Sequence, residues 1–300
     1  MIYIQSVNWP CPLWKYTSDC IFEILKKNYE CRFVNTKEFW DDVDIGESDI
    51  LICYCIFYDE ISNLKMEKKI KMIIINTEGL YSESSCVWSR SLFFRIYEAN
   101  KDVATILEYQ AKNIKFLKSL YPDIKCHYVP PSYNKYYEEL NINKNEEKDI
   151  DVLVYGAYGN RRINKIIELK HNGINTVYVQ NFNDIDTQLN YINRSKIILN
   201  IFYYENNKVF DFFRNTLLLS NKAFLILEEA TDIDKVIDKK ILDYQDHIIT
   251  CKYENICDTV NKYLNISQEE RDTLAEKSYN WYKNILNYEK ELNDVITTIL

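Results

Sequence analysis

Three arginines and a few carboxylates stand where they could grip an anion and the hydroxyls beside it. Arg161 and Arg162 open a predicted helix just after Gly156 and Gly159. Glycine permits close approach to the backbone, and a helix N-terminus offers free N–H groups to an anion. First turns usually favour acidic residues, so two arginines there are informative; the alternative is a solvated basic turn. Arg214 is the one cation in an otherwise largely apolar helix, Val209 to Leu219. A guanidinium among aromatics needs a partner: an internal one (Glu228, Glu229 or Asp211) or an anionic ligand. Glu228 and Glu229 end a buried strand, where ligands of parallel sheets bind. Glu78 ends another strand and is the candidate general base; Asp59 and Glu60 compete for that role, and a plain polar loop residue is the bland alternative.

These residues ride on two series of alternating strands and helices. Apolar, β-branched runs predict strands at residues 2–7, 49–57, 70–75, 103–107 and 125–129, with CRFVN between the first two. Helices are expected at 17–28 and 110–120, the latter stopped before Pro122. Residues 80–100 are polar and aromatic and show no clear element. Residues 134–149 are charged and Asn-rich, and read as a linker. Beyond it, strands at 149–156, 175–180, 196–202, 223–227 and 247–251 alternate with helices at 161–171, 184–193, 209–219 and 254–264. Ser267, with Glu270 three residues on, predicts a capping box that opens the C-terminal helices. Two such halves argue for an α/β protein with two Rossmann-like domains facing a cleft, 1–140 and 150–300.

Composition narrows the partners. The 300-residue chain carries a net charge of −8 and no basic block of the kind that tracks phosphate backbones, so nucleic acid is a poor partner. Its nine cysteines are an odd number with no Cys-x-x-Cys pair, as expected of small buried hydrophobes in a reducing compartment. No signal-peptide pattern and no apolar run of membrane-spanning length occurs, which predicts a cytoplasmic protein without a membrane span. Asp-x-Asp occurs four times, at Asp42, Asp149, Asp184 and Asp232, in a chain rich in Asp and Ile. Asp184 and Asp186 read as helix caps, and no essential metal is expected. His127 reads as structural beside Pro130 and Pro131.

The order of motifs resembles GT-B glycosyltransferases, in the spore-maturation-protein-like and group-1-like branch. Tyr155 to Arg162 resembles the family's strand–Gly–loop–Arg entry into a helix. SKIILNI, Arg214, the Asn221-Lys222-Ala223 turn and Leu227-Glu228 resemble its later strand, Arg, turn and Glu segment. Glu108-Tyr109-Gln110…Asn113 and His127 to Pro131 resemble its N-terminal Asp-Tyr-Ser…Asn and Val-Pro segments. The resemblance implies transfer of a sugar from a nucleotide-diphosphate sugar to a hydroxyl of a glycan or glycoconjugate, with no further cofactor. It implies a donor site of Gly156, Arg161, Arg162, Arg214, Glu228 and Glu229, in which Arg214 meets the diphosphate and Glu228 the ribose. It implies acceptor contacts from Trp9 and Tyr109 and a base at Glu78; Trp14 and Trp88 are further aromatics that could stack on a sugar. The paired Glu of retaining group-1 enzymes is broken, because Ser220 stands eight positions before Glu228 and Asn221 eight before Glu229. A degenerate sugar- or nucleotide-binding module is the alternative. A nicotinamide-dependent oxidoreductase is the third reading, and the lack of a Gly-x-Gly-x-x-Gly after a strand weighs against it.

Overall fold

Short aliphatic runs become buried parallel strands wherever both sheet faces are covered by helices. The computed structural model describes residues 1–5, 12–34, 46–54, 70–80, 87–140 and 147–300. In the N-terminal half the elements are β1 (Ile2–Gln5), α1 (Pro12–Leu25), β2 (Cys31–Val34), β3 (Ile50–Tyr54), β4 (Lys71–Ile75), α2 (Val87–Asn100), β5 (Ala104–Glu108), α3 (Ala111–Leu120) and β6 (Cys126–Tyr128). The strands form one parallel sheet in the order β2-β1-β3-β4-β5-β6. Leu51, Met72, Ile74 and Ile106 pack with Phe93, Ile96 and Leu117 from α2 and α3.

The C-terminal half contains α4 (Lys135–Glu138), β7 (Ile150–Tyr155), α5 (Asn160–His171), β8 (Thr176–Val179), α6 (Ile185–Asn193), β9 (Ser195–Asn200), α7 (Phe212–Ser220), β10 (Leu225–Glu228), α8 (Tyr244–His247), β11 (Ile249–Cys251), α9 (Ile256–Leu264), α10 (Gln268–Ile285) and α11 (Tyr288–Ile299). Its strands are again all parallel, in the order β11-β10-β9-β7-β8. Val152, Val154, Ile197, Leu199 and Ile226 form the core with Ile166, Ile256 and Val260. Both sheets therefore run second, first, third, fourth, fifth. The order reverses between the first and third strand, so each sheet has its crevice at the C-terminal ends of that pair.

The chain divides into two units. One holds β1, Trp14–Pro131 and Asn287–Leu300; the other holds Ser132–Leu286. Residues 287–300 thus belong with the first unit, whereas the expected second domain ran on to 300. Tyr288, Leu292, Val295 and Ile296 of α11 are buried. Lys27 pairs with Glu289 at 2.7 Å, and Lys71 Nζ donates to the Ile299 carbonyl at 2.8 Å. The expected linker also differs in part. Its start folds as α4, capped by Asn134, with Tyr137 buried and its carbonyl accepting Asn221 Nδ2 at 2.7 Å.

Two other expectations shift. The helix expected from Val209 begins at Phe212, because the Asp211 side chain accepts the Arg214 N–H and caps it there. Residues 87–100, given no element in advance, form α2. The Ser267–Glu270 capping box and the Asp184 cap are both present. Among the described residues no helix is long and apolar enough to cross a membrane.

Candidate active site

The loop after β7 opens the site at the crevice of the second sheet. Gly156 has φ +118, a conformation that favours glycine. A Cβ there would lie 2.8 Å from Arg214 Nη2 and 3.0 Å from Arg162 Nη1. The backbone is bare because two guanidiniums converge on it. Gly159 serves differently: its backbone is extended, and a Cβ would lie 3.0 Å from the Tyr203 ring. Gly159 is the N-cap of α5 and offers no side-chain cap, and the first turn carries no acidic residue. The N-terminal amides of α5 therefore stand without an internal anion.

Arg161 turns inward. Its Nη1 and Nη2 donate to Glu228 Oε2 and Oε1 at 2.6 and 2.5 Å, and Nη1 also reaches the Phe202 carbonyl at 3.2 Å. The guanidinium lies 4.0 Å over the Tyr253 ring, whose hydroxyl donates to the Arg161 carbonyl at 2.7 Å. Glu228, 2% exposed, also accepts the Phe202 N–H at 3.1 Å and faces Lys208 Nζ at 3.3 Å. Two donors meet each oxygen, which fills the carboxylate's lone-pair sites. The resulting strut ties the start of α5 to the ends of β9 and β10. Glu229 is the half-buried residue after β10, and its N–H donates to Cys251 at 2.9 Å.

Arg162 and Arg214 are held differently. Arg162, 5% exposed, donates only to carbonyls: Nε to Ile201 at 2.8 Å and Nη1 to Ala157 at 2.9 Å. No described carboxylate forms an ion pair with it. Burial, then the neighbouring Arg214 charge, pushes its pKa down to about 9. Arg214 Nη1 donates to Asn200 Oδ1 at 2.7 Å, and its guanidinium lies 5.2 Å over the Tyr155 ring. Its Nε is buried without a hydrogen-bond partner, 3.6 Å from Asp211 Oδ2. Of the three internal partners considered for Arg214, Asp211 is the one beside it, since Arg161 has taken Glu228. Two cations thus meet at Gly156 with one carboxylate nearby, an arrangement that attracts a multiply charged anion.

The first unit holds a second polar cluster beyond β4 and β5. Glu78 is half-buried, its carboxylate accepts no hydrogen bond from a described residue, and burial pushes its pKa up to about 7. That value suits a base working near neutral pH. Tyr109, an expected acceptor contact, spends its hydroxyl on the Thr77 carbonyl at 3.0 Å and receives Gln110 Nε2 at 2.6 Å. Trp14 lies tilted against Tyr54, with centroids 6.1 Å apart. His127 lies on β6, half-buried, its pKa lowered by burial. Trp9, Asp59 and Glu60 lie outside the described residues. Among the described residues no group of His, Cys, Asp and Glu has the arrangement of a metal site.

Sequence reasoning missed Lys208, Tyr203 and Tyr253. Lys208 had a weak signal, as a lone cation in the loop between β9 and α7; the two tyrosines had none in a chain with 25 of them.

No protein-family model matches the sequence. The uncharacterized protein L140 of Acanthamoeba polyphaga mimivirus is 25% identical over 265 residues, 84% of this chain and 80% of that protein. Among solved structures, phage T4 β-glucosyltransferase superposes with a TM-score of 0.63 at 15% identity, over 99% of this chain and 98% of that one. The chain has the GT-B fold. The same GT-B arrangement relates it to TarM (TM-score 0.57, 11% identity, 93% of this chain) and to the Burkholderia xenovorans α,α-trehalose-phosphate synthase (0.53, 7%, 85%). The chain spans 57% of the TarM chain's length and 74% of the synthase's. The T4 protein is described as a DNA modifying enzyme with uridine diphosphoglucose as substrate, and has been solved with UDP and Mn2+. The two Rossmann-like sheets expected from the sequence are those of this fold.

Proposed function

We propose that this GT-B chain is a glycosyltransferase that moves a sugar from a nucleoside-diphosphate sugar to a hydroxyl of a glycan or glycoconjugate. The observation that carries the proposal is the convergence of Arg162 and Arg214 on Gly156 at the crevice of the second sheet. As the glycosidic bond to the donor breaks, negative charge grows on the leaving diphosphate. Preorganised cations and a helix N-terminus stabilise that charge more than they stabilise the ground state. In this reading Arg162, Arg214 and the α5 amides receive the diphosphate, and Gly156 admits it. Glu228 and Arg161 frame the site from below, and Glu229 is the carboxylate left for the ribose hydroxyls. Glu78 takes the acceptor's proton, and Trp9 and Tyr109 border the acceptor.

Two arginines supply the charge that a divalent cation would otherwise supply, so the proposal includes no essential metal. The T4 structure with UDP and Mn2+ makes a chelator arm necessary. The net charge of −8 favours a glycan over duplex DNA as acceptor. The donor and the free cysteines fit a cytoplasmic setting. Within the fold, the motif order fits the spore-maturation-protein-like and group-1-like branch.

Isothermal titration of the full chain with UDP, GDP and dTDP in EDTA tests the donor site. One nucleotide is expected to bind, and silence from all three would sink the assignment. Slow release of nucleotide from its sugar conjugate over hours separates an enzyme from a binding module of the same fold.

A further inference from the structure

The carboxylate of Glu108 lies at the end of β5, 1% exposed and without a cationic partner among the described residues. It accepts four hydrogen bonds from neutral donors: Asn76 Nδ2 at 2.6 Å, Asn113 Nδ2 at 3.0 Å, and the N–H groups of Tyr109 and Gln110 at 2.8 and 3.0 Å. For stability alone, a buried carboxylate without a counter-charge is a costly choice beside an apolar residue.

Its neighbours suggest what it is kept for. Asn113 Nδ2 also donates to the Glu78 carbonyl at 2.8 Å, and Asn113 Oδ1 accepts the Leu80 N–H at 2.7 Å. Asn76 Nδ2 donates to the same Glu78 carbonyl at 2.8 Å, and Asn76 Oδ1 accepts the Glu78 N–H at 3.3 Å. Tyr109 holds the Thr77 carbonyl from the same corner. The main chain at Glu78 is therefore held at its N–H and at its carbonyl, and on both flanks. Burial pushes the Glu108 pKa up to about 8 while its four N–H donors pull it down, and all four contacts are accepted by its oxygens, so both Asn amides turn their NH2 groups toward it. That leaves both amide oxygens to face the Glu78 and Leu80 N–H groups. A glutamine at 108 would set an NH2 group against one of these donors and break the pattern.

We propose that Glu108, acting through Asn76 and Asn113, is a positioning residue that clamps the chain over residues 76–80, just after β4, and sets the Glu78 carboxylate in place. The inference rests on the reading of Glu78 as the base. Glu78 has no side-chain partner of its own among the described residues, so its placement depends on this backbone clasp.

The test is a 13C carboxyl titration of Glu78 in the full-length chain, wild type against Asn113→Ala. That substitution cuts the clasp without changing charge. Glu108→Gln is the companion; it also removes a group that titrates in the same range as Glu78, so Asn113→Ala decides. The wild-type carboxyl is expected to titrate at about 7. In folded Asn113→Ala the loop loosens, water reaches the carboxyl, and the titration should fall by at least about one pH unit. Asn76→Ala cuts the clasp from its other side and serves if Asn113→Ala does not unfold cooperatively. A wild-type titration in either folded clasp variant would overturn the positioning role. Undiminished UDP-glucose turnover in Glu78→Gln would instead overturn the base, and the two failures are separate results.

Discussion

Replacing Arg214 by Ala separates an anion receptor from an internal salt bridge. The side chain is 13% exposed and makes one described hydrogen bond, Nη1 to Asn200 at 2.7 Å. Losing that bond costs about 1 kcal/mol. Relief of the repulsion between Arg214 and buried Arg162 offsets part of this loss. The Asp211 cap on the Arg214 N–H is backbone-mediated and survives the substitution. Net destabilisation should stay near 1 kcal/mol, a Tm shift of about 2–4 °C. Binding should suffer far more. A hydrogen bond to a charged group contributes about 1.5–3 kcal/mol, and Arg214 has Nη2 and Nε to give. A loss of about 3 kcal/mol is on the order of 150-fold in Kd. Titration calorimetry with UDP, and with pyrophosphate as the nucleoside-free probe, reads this directly, beside a thermal melt. Asp211→Asn keeps the cap oxygen but removes the one nearby negative charge, so it should bind UDP at least as tightly as wild type. A less stable Arg214→Ala protein with wild-type affinity for both anions would refute the receptor and restore the Arg214–Asp211 bridge as the whole explanation.

Three further outcomes follow from the same geometry. Gly156→Ala combines a φ of +118 with a Cβ 2.8 Å from one guanidinium and 3.0 Å from the other; it should cost about 1–3 kcal/mol in a urea melt and weaken UDP binding at least about tenfold. Glu228→Gln leaves Arg161 without its carboxylate, so stability should fall by roughly 3 kcal/mol and UDP and pyrophosphate should weaken together; loss of UDP affinity alone, with an unchanged melt, would make Glu228 a ribose ligand instead. Glu78 titrates at about 7 when folded against 4.5 for an ordinary Glu, so the folded chain holds the extra proton between those values. Its stabilising contribution is complete below pH 4.5 and is lost as pH rises through 7. Glu78→Gln should therefore match wild type near pH 4.5 and exceed it by roughly 2 kcal/mol at pH 8, discounted for partial exposure; a stability difference that does not vary with pH would show that the carboxyl is not shifted.

Much of this was legible from residue types. Ile150–Tyr155 and Ser195–Asn200 are short, β-branched runs of strand length, and Gly156, Arg162 and Arg214, which the structure brings together, were already singled out by residue type. α2 was not legible, because Arg90, Arg95 and Glu98 interrupt its aromatic residues and blur the apolar stripe of Leu92, Phe93, Ile96 and Tyr97. The start of α7 was misplaced because Val209 and Phe210 continue the apolar spacing, while the cap at Asp211 depends on one local hydrogen bond. The inward turn of Arg161 was beyond sequence reasoning. Its partner Glu228 lies 67 positions away, and the pairing depends on how β9 and β10 align. Glu108 and Asn113 were visible as a motif; that they grip Glu78 required the β4–β5 register.

The central claim is that the diphosphate of a nucleotide sugar sits between Arg162 and Arg214. A crystal structure of the full chain soaked with UDP tests it most directly. Both phosphates should lie against Gly156, within hydrogen-bond distance of the two guanidiniums and the first amides of α5, with Arg161 still on Glu228. Nucleotide density at the strand ends of the first sheet, with Arg162 and Arg214 untouched, would contradict the account.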